Sequence, residues 1–199
     1  MTLTVSDISF AYPKEKPVLS GVSVNVEAEE MVVLAGPSGQ GKSTLLHCIA
    51  GLLTPTSGKI YVDGVDVTRK KPHERSIGIM MQDQPLYEHL SVSQNLEFLL
   101  RTRGMKKDVS MLLEQLELAS IARKKVIKCS GGERRRIAFG RAVVLKPRVL
   151  LLDEPFVSLN HELREILLSA IRNLNIPTLL VTHDTDRLQG DRELTLEEL

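Results

Sequence analysis

The sequence predicts an α/β fold in which a parallel sheet carries a phosphate-binding loop and is interrupted by a helical insertion. Three observations predict it. Three short, largely apolar runs, Met31–Ala35, Val149–Leu152 and Thr178–Thr182, are each followed by polar, chemically loaded residues. Strands covered on both faces read this way, and such sheets place ligands beyond the carboxyl ends of their strands. Residues 36–44, Gly-Pro-Ser-Gly-Gln-Gly-Lys-Ser-Thr, form a complete G-x-x-x-x-G-K-[ST] loop between the first of these runs and a helix-like run, Thr44–Ala50; strand, loop and helix in that order is the context the motif requires. From Ser91 to about Leu145 the apolar spacing becomes helical.

The remaining elements follow in order. Leu3–Phe10 and Val22–Val26 alternate apolar and polar residues, as half-buried strands do. Ile60–Val62 and Ile77–Met81 are short apolar runs bounded by turn and charge signals. Leu96, Leu99 and Leu100 form one helical stripe, and Leu112, Leu113, Leu116 and Leu118 another. Ser130-Gly131-Gly132 opens a helix over Glu133–Leu145, and Glu162–Asn173 reads as a further helix before the strand at Thr178. This places a core over 1–87 and 139–199 and a helical part over 88–138, all within one domain.

The chain has 199 residues, 42% hydrophobic and 26% charged, with a formal net charge of +1. That is globular composition, without the basic excess of a dedicated nucleic-acid binder. Cys48 and Cys129 have no metal-ligand spacing and read as reduced thiols. The N-terminus lacks a secretory signal pattern, and no apolar run approaches the roughly 18 residues of a membrane span. The expectation is a cytoplasmic protein that reaches a membrane only through a partner.

The chemistry concentrates at the loop. Its glycines let backbone N–H groups converge on an anion, and the following helix aims its positive end at the same point. Gly36, Pro37, Ser38, Gly39, Gln40, Gly41, Lys42, Ser43 and Thr44 are the expected phosphate contacts, with Lys42 a point charge for the β/γ-phosphates and Ser43 a hydroxyl for Mg²⁺. Asp153 ends an apolar strand where it can hold Mg²⁺, and Glu154 beside it can polarise water as a general base. Ser130, Gly131, Gly132 and Glu133 form a second anion-binding mouth at a helix start. His47, His73, His89 and His161 show no ligand spacing and read as structural or solvated, and Arg134-Arg135-Arg136 reads as a solvated or subunit-contact face.

Taken in this order, the motifs resemble those of the ATP-binding cassette ATPases, the motor subunits of ABC transporters, over residues 3–184. Ser130–Glu133 matches the family's Leu-Ser-Gly-Gly-Gln signature, with Cys129 and Glu133 at its first and last positions. The resemblance implies a P-loop NTPase (RecA-like) core with an antiparallel β subdomain and an inserted α-helical subdomain. It implies that Tyr12 stacks on adenine, that Gln82 reaches Mg²⁺ and the attacking water, and that His183 contacts the γ-phosphate. Glu154, His183, Lys42 and Gln82 are then the catalytic set, and Ser43, Gln82 and Asp153 the metal set. Ser158-Leu159-Asn160 departs from the usual Ser-Ala-Leu-Asp, with Asn160 replacing an aspartate.

The resemblance further implies a head-to-tail dimer of two copies with ATP between them, each phosphate loop facing the other copy's signature. The segment from Pro72 through Gln82 to Val92 looks most like the importer branch and would dock separate transmembrane permease subunits, working with an extracytoplasmic solute-binding protein and holding the chain at the inner face of the membrane. Sixteen residues follow His183, from which we expect no C-terminal regulatory domain and a shortened last strand within Asp191–Leu199. The alternative is a soluble, non-transport ABC ATPase of the DNA-repair or translation type.

Overall fold

The computed structural model describes residues 1–13, 15–83, 85–106, 108–157, 159–183 and 190–199. The chain divides into two compact units. The first comprises Met1–Ile79, Arg148–Glu154 and Asn175–Leu199, the second Met80–Pro147 and Pro155–Leu174. The helical part expected over 88–138 lies inside the second unit, which extends beyond it on both sides and also takes in 155–174.

The first unit holds two sheets. One is antiparallel in the order β2 (Pro17–Val26), β1 (Leu3–Ala11), β4 (Ser57–Val62), β5 (Val65–Asp66). The alternation in β1 is not continuous: Leu3 and Val5 are buried, then Ile8 and Phe10. Asp7, at φ 52°, is the extra residue of a bulge that shifts the register between Val5 and Ile8. Gly58 lies opposite, where a Cβ would come within 2.4 Å of the Asp7 carbonyl oxygen, so only glycine admits this approach.

The other sheet runs β6 (Ile77–Met80), β7 (Val149–Asp153), β8 (Thr178–Thr182), β3 (Met31–Ala35), β9 (Arg192–Thr195). Strand β8 pairs parallel with both β7 and β3, and β3 pairs parallel with β9. Every residue of β3, β7 and β8 is buried, as their apolar runs require. Leu45, Leu46 and Ile49 of α1 (Lys42–Ala50) join one hydrophobic cluster with Leu34, Leu151, Leu179 and the inner residues of β1 and β2. The strand expected in 191–199 is β9, followed by a single turn and by Leu199, whose carbonyl accepts from Ser23 N–H at 3.0 Å.

The second unit contains α2 (Val92–Thr102), α3 (Ser110–Gln115), α4 (Gly131–Val143) and α5 (His161–Arg172). Leu96 and Leu100 are buried on α2 and Leu99 is half-buried. The second stripe is not one helix. Helix α3 ends at Gln115, Glu117 takes φ 51°, and Leu116 and Leu118 are buried beyond the helix end. Helix α4 starts two residues earlier than expected because Ser130 is its cap, placing both glycines in the first turn. Gly140 is the close-packing point: a Cβ there would meet Leu96 at 3.0 Å and Leu116 at 3.1 Å. Among the described residues no helix is long and apolar enough to cross a membrane.

Candidate nucleotide site

The phosphate loop joins β3 to α1 in the first unit. Gly36, Gly39 and Gly41 all have positive φ, at 136°, 87° and 99°. Gly41 is constrained twice, since a Cβ there would also lie 2.9 Å from Val18 Cγ1. Being glycine, this N-cap brings no side chain to the first N–H groups of α1, which leaves them to an anion. Lys42 is buried and donates from Nζ to the carbonyl oxygens of Gly36 and Pro37, both at 2.7 Å. Burial lowers its pKa, opposed by the negative charge of Glu154 and Asp153.

Asp153 and Glu154 stand at the end of β7. Asp153 is buried, and burial raises its carboxyl pKa, opposed by a hydrogen bond from Ser43. Its Oδ1 accepts no hydrogen bond among the described residues. A buried carboxylate oxygen without a partner, beside a hydroxyl and a phosphate loop, is the hard-oxygen donor set that Mg²⁺ takes with substrate phosphates and water. Among the described residues no group of three His, Cys, Asp or Glu forms a metal site, and a phosphate-bound Mg²⁺ needs none.

Glu154 is also buried, with φ 51°, uncommon for a residue with a side chain. Its backbone N–H donates to Val181 O at 2.9 Å. Its Oε1 accepts from His183 N–H at 3.0 Å and lies 2.7 Å from His183 Nδ1, while Thr182 Oγ donates to Oε2 at 3.3 Å. At that distance the His183 ring and the Glu154 carboxyl group share one hydrogen bond. The end of β8 thus holds the expected base and the expected γ-phosphate histidine on each other. Tyr12, just beyond β1, is 38% exposed, its ring edge-on to Phe10 with centroids 4.9 Å apart; the open ring leaves a surface for stacking.

The second anion mouth belongs to the second unit. Ser130 caps α4 with Oγ, which accepts from Glu133 N–H at 3.2 Å, and Glu133 Oε2 accepts from Ser130 N–H at 2.7 Å. This is a capping box. Lys124 Nζ, 2.8 Å from Glu133 Oε2, is the main cause of the lowered Glu133 pKa. Glu133, expected as a nucleotide contact, therefore spends its carboxylate on the helix start. Ser130 keeps its hydroxyl hydrogen to donate, and a Cβ on Gly131 would meet nothing within 4 Å, so an anion can approach there.

The family model described as ABC transporter matches residues 19–157. The chain belongs to the ABC transporter family. It is 42% identical over 192 residues to the sn-glycerol-3-phosphate import ATP-binding protein UgpC of Psychromonas ingrahamii, covering 92% of this chain and 52% of that one. It is 37% identical to the probable sulfate/thiosulfate import ATP-binding protein CysA of Chlorella vulgaris, covering 100% of this chain and 88% of that one. The chain spans about half the length of most of the curated relatives it matches. Its fold matches a bacterial Atm1-family ABC exporter with ATP bound at a TM-score of 0.87 and 26% identity, covering 99% of this chain and 37% of that one.

As a member of this family, the chain shows features that the sequence reading left open. The arginine run of α4, read as a solvated or subunit-contact face, is half-buried at Arg134 and Arg135 and buried at Arg136. Arg136 is buried and donates to Leu116 O at 2.7 Å and Glu117 O at 3.1 Å; Arg135 donates to Gln82 O at 2.7 Å; Arg134 pairs with Glu88 at 2.9 Å. Arg141 donates to Pro85 O at 2.7 Å and lies over the Tyr87 ring, so Arg135 and Arg141 bind the Gln82 and Pro85 carbonyls to the signature helix while Arg134 reaches the Glu88 side chain. The exposed Gln82 side chain is thus mounted on the element that carries Ser130. Asn160 caps the start of α5, its Oδ1 accepting from Leu163 N–H at 3.0 Å; Ser158 lies outside the described residues. Only the arginines' spacing along α4 could have signalled the clasp, and charge alone does not distinguish it from a wet face.

Proposed function

We propose that this chain binds ATP with Mg²⁺ and hydrolyses it as the motor subunit of an importing ABC transporter. The observation that carries the reading is the cluster in the first unit: a phosphate loop, Lys42, an orphaned Asp153 oxygen beside Ser43, and Glu154 held by His183. Ser43 and Asp153, joined by Gln82, would hold Mg²⁺, which when bound neutralises the β- and γ-phosphate charge. Lys42 and the first N–H groups of α1 cradle the same oxygens. Glu154 takes a proton from a water molecule as its oxygen bonds to the γ-phosphorus. The γ-phosphorus–oxygen bond breaks with its electron pair going to ADP, and His183 N–H steadies the γ-oxygens.

Tyr12 would stack on the adenine. The open mouth at Ser130 and Gly131 supports a second copy whose phosphate loop closes on it, with ATP between. Binding energy for ATP then becomes association energy. Relatives whose names are import ATP-binding proteins favour import over a soluble role. Their named cargoes differ, which fits selectivity residing in separate permease subunits and a solute-binding protein. A cavity of about 220 Å³ lined by Met81, Leu86, Gly131, Arg134, Arg135, Ala138 and Val157, beside Gln82 in sequence, is the seat we assign to the permease, holding the chain at the inner membrane face.

Glu154→Gln tests the reading. It keeps ATP binding, removes the base and accumulates an ATP-bound dimer, visible by size-exclusion chromatography with ATP present. ATP hydrolysis at the wild-type rate in this variant would overturn the assignment.

A further inference from the structure

Arg75 is 3% exposed, and among the described residues no carboxylate pairs with it. Its guanidinium is spent on backbone oxygens instead. Nε donates to Lys70 O at 2.9 Å, Nη1 to Cys48 O at 3.0 Å and Ile49 O at 2.9 Å, and Nη2 to Thr68 O at 2.7 Å. Burial lowers its pKa, as expected of a cation removed from water. Two of the four oxygens belong to the last turn of α1, where Cys48 O also accepts from the Gly51 N–H at 3.1 Å. The other two belong to the chain that follows β5, so one side chain ties the helix end to that segment.

The helix end is shaped around this group. Gly51 is the αL residue that closes α1, at φ 79°, and a Cβ on it would lie 2.4 Å from Arg75 Nε and 2.6 Å from Cζ. Helix α1 has nine residues and is therefore roughly 13 Å long. Its other end is the phosphate loop. A cation at the negative end complements an anion at the positive end of the same short, stiff element.

We propose that Arg75 is a positioning residue for the nucleotide. It fixes the C-terminal end of α1, and the helix carries that fix to the N–H groups, Lys42 and Ser43 that receive the phosphates. The proposal rests on the nucleotide-binding reading above. It assigns to a residue outside every phosphate-contacting motif a share of the binding of ATP.

The test is the dissociation constant of a fluorescent ATP analogue with Mg²⁺, measured well below the unfolding temperature of each variant. Arg75→Met weakens binding by about tenfold or more, and Arg75→Lys, whose ammonium can serve only part of the four oxygens, falls between it and wild type. Gly51→Ala displaces the guanidinium without removing its charge and weakens binding in the same direction. Gly64→Ala imposes the same backbone strain, at φ 75°, with nothing within 4 Å of the new Cβ, and leaves binding unchanged. If Arg75→Met and Arg75→Lys are less heat-stable yet bind as wild type, or if Gly64→Ala weakens binding as much as Gly51→Ala, Arg75 serves stability alone and the proposal falls. Failure of the wild type to bind the analogue would instead sink the nucleotide reading.

Discussion

Asp153, which we propose holds Mg²⁺, carries at the residue scale a cost to stability. Its carboxylate is buried with one oxygen unpartnered, and burial raises its pKa above the ordinary 3.8. An acid with a raised native pKa binds its proton more tightly folded than unfolded. Its presence therefore lowers stability as pH rises above about 3.8 and through the native pKa, and the loss persists at neutral pH. Asp153→Asn carries no charge to bury. It should melt at a higher temperature than wild type at pH 7, with the difference vanishing near pH 3, while losing Mg²⁺-dependent ATP hydrolysis. A variant no more stable at pH 7 would mean that the native state stabilises the Asp153 charge. Glu154, at φ 51° in the next position, adds backbone strain at the same point.

Helix α4 carries the element-scale argument. Its start is set by the reciprocal pair Ser130 and Glu133, and the fourth signature residue works as the far half of a capping box. Glutamine can make the same bond to Ser130 N–H, and alanine cannot. Glu133→Gln should hold stability to within the small worth of the half-exposed Lys124 pair, whereas Glu133→Ala should cost about 1 kcal/mol, lowering the melting temperature by roughly 2–4 °C. Equal losses in thermal melts of the two would show that charge, not capping, is what Glu133 supplies. Farther along the helix, Arg135 and Arg141 donate to the Gln82 and Pro85 carbonyls, which ties those two residues to α4.

The whole molecule is two units, each with one proposed anion mouth: the phosphate loop in the first, Ser130 and Gly131 in the second. If each nucleotide is closed in by mouths from two copies, Ser130→Arg and Lys42→Ala damage different halves of each site. A mixed dimer then has one site with both defects and one with neither. ATP hydrolysis should be absent from each variant alone and return on mixing. No recovery, with mixed dimers verified by differential tagging, would refute the shared site.

Much was legible in the sequence because chain neighbours carry it. The phosphate loop works through backbone within nine residues, so Gly36–Thr44 could be read directly, as could the buried strands β3, β7 and β8 from their apolar runs. The acids at the end of β7 followed from a strand end in a parallel sheet, and His183 at the end of β8 from the resemblance to the family. Periodicity misled where a turn kept the apolar spacing, as at Leu116 and Leu118, and charge misled in Arg134–Arg136. What the sequence determined by itself is the phosphate-loop motif and the buried strands β3 and β7 that carry Gly36 and the Asp153–Glu154 pair at their ends. Only the tertiary structure decided that Glu154 is held by His183, that an Asp153 oxygen is left unpartnered, that Glu133 faces its own helix, and that Arg75 grips the far end of α1. Those pairings join residues from 3 to 29 positions apart, and burial, which fixes the strength of each, is a property of the packed chain alone.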